Sequence, residues 1–264
     1  MANLLKRVGL ASLMALGLNL GSSNSSLANT AQSVKLDKVY LTSCLNNQPC
    51  TTENKDVTID DKVILNAVVE AHENGRQVYF SDSKDLVLDG RKIDPKLVKT
   101  WDKEKPIEIK WYKVENTERH YSNWNLGKFR WDTPKYKENK FRSSGSLSTE
   151  TDSHPTDKDL DVNKGLGTMR YKAVVKLDDQ ILSTPGAEST DEQGITNNVH
   201  RLSFRLDNSF IGWITSFFNL PYIYGSEGKR EEHQSERYIG ADCADLITLA
   251  RRKTGHKIDY TNVK

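Results

Sequence analysis

The sequence predicts an α+β protein in which an N-terminal antiparallel β-sandwich is followed by a smaller α/β unit. Across residues 34–206, apolar residues recur at every second position in short segments separated by turn residues, as in strands with one buried face. After Leu206 the apolar spacing becomes helical. Because no long helical pattern separates the strands, we expect two packed antiparallel sheets, and an immunoglobulin-like sandwich fits this pattern.

Five segments show the alternation most clearly. They are residues 63–69, residues 86–93 with a hairpin turn at Asp89 and Gly90, residues 107–112, residues 170–175 and residues 201–206. Within residues 107–112, Ile107, Ile109 and Trp111 fall on one face. These segments are the predicted core strands.

Two stretches interrupt the strand pattern. Residues 142–161 are rich in Ser, Thr and Asp, which predicts a long loop. Just before it, five aromatic residues crowd together among polar ones: Tyr121, Trp124, Phe129, Trp131 and Tyr136. Such rings either stack on sugars or pin a long loop to the domain surface, and the sequence leaves both interpretations open.

The C-terminal part predicts two helices. The first follows a cap at Asp207, Asn208 or Ser209 and ends before Pro221, which cannot continue a helix. The second is expected from Asp242, a suitable N-cap, to Thr254, with Gly255 as its C-terminal stop. Its last turn carries Arg251, Arg252 and Lys253, where cations suit the helix dipole.

The first residues are typical of an export signal. Lys6 and Arg7 precede an apolar stretch at residues 8–20 and small residues around Ala28, so we expect a signal peptide over residues 1–28 and a mature start near Asn29. The alternative is an uncleaved N-terminal anchor. No later stretch is apolar enough to span a membrane. We therefore expect an exported protein, periplasmic or extracellular, and its net charge of +2 gives no sign of nucleic-acid binding.

The chain has three cysteines, and export makes their pairing informative. Cys44 and Cys50 lie close together in a turn-rich segment, which predicts a disulfide, with two free thiols in a frayed arm as the alternative. Cys243 is then the odd thiol. It falls in the first turn of the second predicted helix, where backbone N–H groups stabilise a thiolate and can hold an oxyanion. The alternative is an inert cysteine packed at a helix start.

The motif order around Cys243 resembles the front half of NlpC-type cell-wall peptidases, which are papain-like cysteine hydrolases. Pro221, Tyr222 and Gly225 match one family element, while Asp242, Cys243 and Leu246 match the element that opens the cysteine helix. Ala244 and Asp245 depart from the family's Ser-Gly. The resemblance covers about residues 210–264. It implies a partial papain-like unit, Cys243 as nucleophile, Tyr222 as an active-site tyrosine, and peptidoglycan as substrate and partner.

A cysteine hydrolase also needs an imidazole base. In the family that histidine follows the cysteine helix, so the chain is expected to be truncated before its base. His233, in the loop before the helix, is the candidate within this chain, with a plain surface histidine as the alternative. His256 is a poor base, since it lies roughly 20 Å along the helix. The other four histidines (His72, His120, His154 and His200) have no metal-site spacing, and we expect neither metal nor cofactor.

These observations predict three segments: a signal peptide at residues 1–28, a β-sandwich module at residues 29–206 and a partial hydrolase unit at residues 207–264. The function they favour is that of an exported cysteine hydrolase, an amidase or peptidase, acting on cell-wall peptides or related amides. Two alternatives remain. One is a non-enzymatic binding or adhesion protein that uses the aromatic segment, and the other is an inactive relative that keeps the fold without the base.

Overall fold

Strands make up most of the regular structure in the computed structural model, which describes residues 34–101, 106–227 and 233–258. The strands are β1 (Val34–Leu45), β2 (Cys50–Thr51), β3 (Lys55–Thr58), β4 (Val63–Glu73), β5 (Arg76–Phe80), β6 (Leu86–Leu88), β7 (Arg91–Lys92), β8 (Val98–Lys99), β9 (Glu108–Asn116), β10 (His120–Ser122), β11 (Trp124–Asn125), β12 (Lys128–Phe129), β13 (Tyr136–Ser144), β14 (Ser148–Glu150), β15 (Gly167–Leu177), β16 (Gln180–Ser183), β17 (Arg201–Arg205) and β18 (Tyr222–Tyr224). The described helices are α1 (Phe210–Thr215), α2 (Cys243–Lys253) and two 3-10 turns, Pro95–Leu97 and Lys158–Leu160. The predicted α+β class is therefore confirmed in a β-rich form, while the predicted signal peptide lies outside the described residues.

Two large sheets carry the architecture. The first has the strand order β7-β6-β2-β1-β4-β5-β8 with β14 also beside β4, and the second has the order β13-β9-β15-β17-β3 with β16 also beside β15. The long neighbours run antiparallel, as predicted, in the pairs β1–β4, β9–β13 and β9–β15. Short strands pair in parallel at β2–β6, β5–β8 and β3–β17, so both sheets are mixed.

One apolar core lies between the inner faces of the two sheets. Leu65 on β4 belongs to the same buried cluster as Trp111 on β9 and Tyr171 on β15, and each of these three side chains is fully buried. The predicted shared face of Ile107, Ile109 and Trp111 is confirmed, since all three are buried in this cluster. Burying each such side chain contributes roughly 1.5–3 kcal/mol, which makes this core the main source of stability.

The segment expected to be a long loop contains regular structure. Residues 142–161 include the end of β13, the whole of β14 and a 3-10 turn. The buried ammonium group of Lys113 donates to the Asp152 carboxylate at 2.7 Å and to the His154 carbonyl at 2.6 Å. A composition rich in Ser, Thr and Asp predicted a loop, but the buried Lys113 ties this segment to the second sheet.

Local chemistry confirms several predicted features of the first sheet. Asp89 and Gly90 both have positive φ, at 47° and 76°, and form the predicted turn between β6 and β7. Cys44 and Cys50 form the predicted disulfide. None of the helices in the described parts of the chain is long and apolar enough to cross a bilayer.

Contacts join the C-terminal segment to the strands that precede it. β18 pairs in parallel with β10, so the hydrogen bonding crosses the predicted boundary at residues 206 and 207. The buried guanidinium of Arg170 on β15 donates to the carbonyls of Arg237 and Tyr238 at 3.0 and 2.7 Å. These bonds fix the chain just before α2 and thereby position the start of that helix.

Candidate active site

Asp242 caps the helix that carries the free cysteine. One of its carboxylate oxygens accepts from the N–H groups of Ala244 and Asp245 at 3.0 and 2.9 Å, and the other accepts from Gly225 N–H at 3.2 Å. The predicted N-cap at Asp242 and helix end at Thr254 are confirmed. The carboxylate thus compensates three backbone donors, and it occupies the two N–H groups that follow Cys243 in the first turn.

Cys243 opens the helix with an exposed thiol, and the other two cysteines are paired with each other. The opposite side of α2 is buried through Asp245, Leu249 and Ala250. Among the described residues, the backbone N–H of Cys243 is bonded to no other group. The helix start therefore offers one open N–H donor next to an accessible sulfur atom.

Tyr222 lies beside the start of α2, since its backbone is bridged to Ala241, two residues before Cys243, and its side chain interacts with the Cys243 thiol. Partial burial raises the pKa of Tyr222, and the negative charges of ionised Cys243 and Asp242 raise it further. A phenol that stays protonated can donate to sulfur and so stabilise a thiolate. The structure thus brings together two of the three predicted site residues.

Tyr222 lies on β18, and the pairing of β18 with β10 places His120 next to it. The register is His120 opposite Tyr222, Tyr121 opposite Ile223, and Ser122 opposite Tyr224. Tyr121 and Ile223 are buried in a shared apolar cluster, so the alternate residues of both strands emerge on the outer face. The rings of His120 and Tyr222 have centroids 6.3 Å apart and a tilt of 49°.

The position of His120 beside Tyr222 was not expected from the sequence, which grouped this histidine with the sandwich. The polar–aromatic–polar alternation of His120, Tyr121 and Ser122 is visible in the sequence. Nothing in the sequence, however, marks its parallel pairing with β18, which joins segments about a hundred residues apart.

His233, the third predicted site residue, lies on the buried side of α2. Its Nδ1 is 3.8 Å from Asp245 Oδ1, and the Ser226 hydroxyl donates to the other oxygen of the same carboxylate. Burial raises the pKa of Asp245 to about 6. Residues two apart on a helix face different directions, so this pair lies across the helix from the thiol. The role of His233 as base stays a prediction.

The remaining histidines have structural partners elsewhere. His72 and His154 pair with Asp37 and Asp161, and His256 lies 3.0 Å from the Thr254 hydroxyl beyond the end of α2. Burial lowers the pKa of His200 to about 4, so this imidazole stays neutral. Within the described ranges, no group of three or more His, Cys, Asp or Glu side chains is arranged to hold a metal ion.

An aromatic row borders the site. The rings of Trp124 and Phe129 meet edge to face at 5.5 Å, and those of Phe129 and Trp131 at 4.9 Å. The fully buried side chain of Asn123 donates to the Gly225 carbonyl at 3.0 Å and to Gln234 Oε1 at 2.7 Å, which fixes the hairpin against the loop that follows β18. Both interpretations of these rings, sugar stacking and pinning to the domain surface, have support, since Trp124 packs on Gly225 yet keeps 45% of its surface exposed.

Comparison with known proteins gives no relative for this chain: no family model, no curated protein and no solved structure matches it significantly.

Proposed function

We propose that the protein is an exported cysteine hydrolase that cleaves amide bonds, with Cys243 as its nucleophile. One observation carries this proposal: the exposed thiol lies in the first turn of α2, beside Tyr222, whose backbone is bridged to Ala241. The resemblance to NlpC-type peptidases supports peptidoglycan stem peptides as the substrate. It also supports a partial papain-like unit around α2. The alternating strand pattern of residues 34–206 separately supports a sandwich of immunoglobulin-like type.

The proposed reaction is acyl transfer through a thioester. A base removes the thiol proton, and the Cys243 sulfur forms a bond to the amide carbonyl carbon. The carbonyl oxygen becomes an oxyanion, which the open N–H of Cys243 is placed to hold, since the next two N–H groups already donate to Asp242. The C–N bond then breaks, the amine leaves with the proton from the base, and water hydrolyses the thioester.

The disulfide supports export. Cys44 and Cys50 are paired, and disulfides persist in oxidising compartments rather than in the cytosol. A periplasmic or extracellular location would also place the thiol beside the cell wall.

The test is hydrolysis of purified peptidoglycan and of a synthetic stem peptide by wild type, Cys243→Ala and Cys243→Ser. We expect both variants to lose at least about a hundredfold in rate, because removing a covalent nucleophile abolishes the acyl-enzyme route. Lys257→Ala, a change at an exposed residue beyond α2, is the control and should leave the rate unchanged. Full activity of Cys243→Ala would overturn the proposal.

The second candidate is a non-enzymatic wall-binding or adhesion protein, favoured by the half-exposed row of Trp124, Phe129 and Trp131. Flat exposed rings stack well on the apolar faces of sugars. Pull-down on insoluble wall polysaccharide should then weaken in Trp124→Ala and in Trp131→Ala. Leu126→Ala, at the fully exposed tip of the same hairpin, is the matched control. Binding lost in the tryptophan variants, in a protein without Cys243-dependent hydrolysis, would favour this candidate or an inactive relative.

A further inference from the structure

The parallel pairing of β10 with β18 places His120 on the same face as Tyr222. The two residues are direct partners in the register, and their neighbours Tyr121 and Ile223 both turn into the apolar cluster on the other side. Paired residues of parallel strands point to the same face of the sheet. The exposed face of this strand pair therefore carries the imidazole and the phenol side by side.

Tyr222 is the neighbour that His120 and Cys243 share. Its ring centroid lies 6.3 Å from that of His120, and its backbone is bridged to Ala241, two residues before Cys243. His120 is exposed, so its side chain has room to change rotamer. Catalytic hydrogen bonds often form only when substrate binds, so a base on this face need not contact the thiol before then.

The other five histidines of the chain are engaged elsewhere. His233 faces the buried Asp245, His256 lies beyond the far end of α2, and His200 is buried next to Thr52. His72 and His154 pair with carboxylates away from α2. His120 is therefore the histidine that the fold places beside Tyr222 on the exposed side of the site.

We propose that His120 is the general base of the Cys243 site. This inference rests on the proposed function. The His120 imidazole takes the proton of the Cys243 thiol, which leaves a thiolate and an imidazolium, while the Tyr222 hydroxyl donates to the sulfur. The imidazolium then gives the same proton to the departing amine. When water hydrolyses the thioester, the imidazole takes a proton from that water and returns it to the thiol, so the cycle closes without any further reactant.

Several titratable groups lie around Tyr222 and the first turn of α2, and all of them contribute to the pH dependence of the site. Tyr222 and Tyr224 come from β18, His120 from β10, and Asp242 from the helix cap, with Asp245 beneath the same turn. A free imidazole titrates near pH 6.5 and a free thiol near pH 8.5. Between about pH 6.5 and pH 8.5, a thiolate–imidazolium pair therefore reacts with alkylating reagents faster than a lone thiol does.

The test is the rate at which iodoacetamide alkylates Cys243, measured from pH 5 to pH 9.5 by intact mass, with the disulfide left oxidised. Wild type should keep substantial reactivity between about pH 6.5 and 8. His120→Ala and His120→Gln should lose about tenfold at pH 7, because a lone thiol is only a few per cent ionised there. His256→Ala is the matched control and should follow wild type. Identical profiles for His120→Gln and wild type would overturn the proposal.

Hydrolysis separates this inference from the function on which it rests. Stem-peptide cleavage that needs Cys243 but survives His120→Gln would refute the base and keep the enzyme. An alkylation profile that depends on His120, in a protein that cleaves no amide, would keep the ion pair and refute the hydrolase. Thermal melting of both His120 variants checks that they fold, as the exposure of the side chain leads us to expect.

Discussion

Asp245 is buried beneath the same turn of α2 that exposes Cys243 to solvent. The helix thus presents a thiol outward and a carboxylate inward, where Asp245 meets Ser226 and His233. The Ser226 hydroxyl also accepts from Asp242 N–H at 3.0 Å, so one buried group links the cap and the carboxylate. The charge state of Asp245 therefore bears on how firmly the start of the helix is held.

Asp245→Asn should flatten the pH dependence of stability between about pH 4 and pH 6. Burial raises the pKa of Asp245 from its ordinary 3.8 to about 6. In that window the folded state holds a proton that the unfolded state has lost, so wild-type stability falls as pH rises through it. Urea unfolding at pH 4, 5, 6 and 7 should show the free energy of unfolding of Asp245→Asn increasing relative to that of wild type as the pH rises toward 6. Asp179→Asn, at an exposed turn, is the control. Parallel curves for Asp245→Asn and wild type would contradict this expectation.

Arg170→Met should destabilise the protein by about 2–4 kcal/mol, because the buried Tyr238 carbonyl and the partly buried Arg237 carbonyl lose their donor. Burial lowers the pKa of Arg170 to about 10, which still leaves the guanidinium charged at neutral pH. Its two acceptors, Arg237 and Tyr238, lie in the segment that leads into α2. Urea unfolding measures the loss, and Arg76→Met on the exposed part of β5 is the control. A change within the usual surface range of about 0.5 kcal/mol would show that this anchor is dispensable.

The features that could be predicted from the sequence are those that depend on residues close together along the chain. The alternation around Trp111, the turn at Gly90 and the cap at Asp242 all follow from local spacing and residue type, and the structure has each of them. The pairing of His120 with Tyr222 depends on two strands that are distant in sequence and only three residues long. Such short strands leave too weak a pattern to specify a partner, so the site could be predicted only in part.

The burial of Lys113 could not be predicted from residue types alone. Lys113 would ordinarily be exposed, yet the structure buries it and uses it to hold residues 152–154 against the second sheet. The loop prediction for residues 142–161 missed this because composition indicates only average exposure, whereas the contacts of one buried lysine are a tertiary feature.

Gly225→Ala should cost more stability than Gly90→Ala, although the two glycines have nearly the same φ, +72° and +76°. Both variants bear the strain of a left-handed backbone, about 1–2 kcal/mol. A methyl group at Gly225 would also lie 2.5 Å from Trp124 Cδ1, whereas nothing lies within 4 Å at Gly90. Overpacking should therefore make the loss of stability in Gly225→Ala about 1–3 kcal/mol larger than in Gly90→Ala. Urea unfolding of both variants measures this difference. Equal losses would show that Trp124 shifts without cost.

Replacing both Cys44 and Cys50 with alanine should lower stability by about 2 kcal/mol. The disulfide closes a short loop, with a sequence separation of six residues, and chain entropy makes the constraint on the unfolded state small for such loops. Urea unfolding under non-reducing conditions measures the difference, and Cys243→Ala is the control because its thiol is exposed and unpaired. Adding dithiothreitol should lower the free energy of unfolding of wild type to that of the double variant, whose own value should not change. A loss well above 2 kcal/mol would mean that the bond also holds the native packing of Cys50, which is buried with Leu86 and Val68 on the outer face of the first sheet.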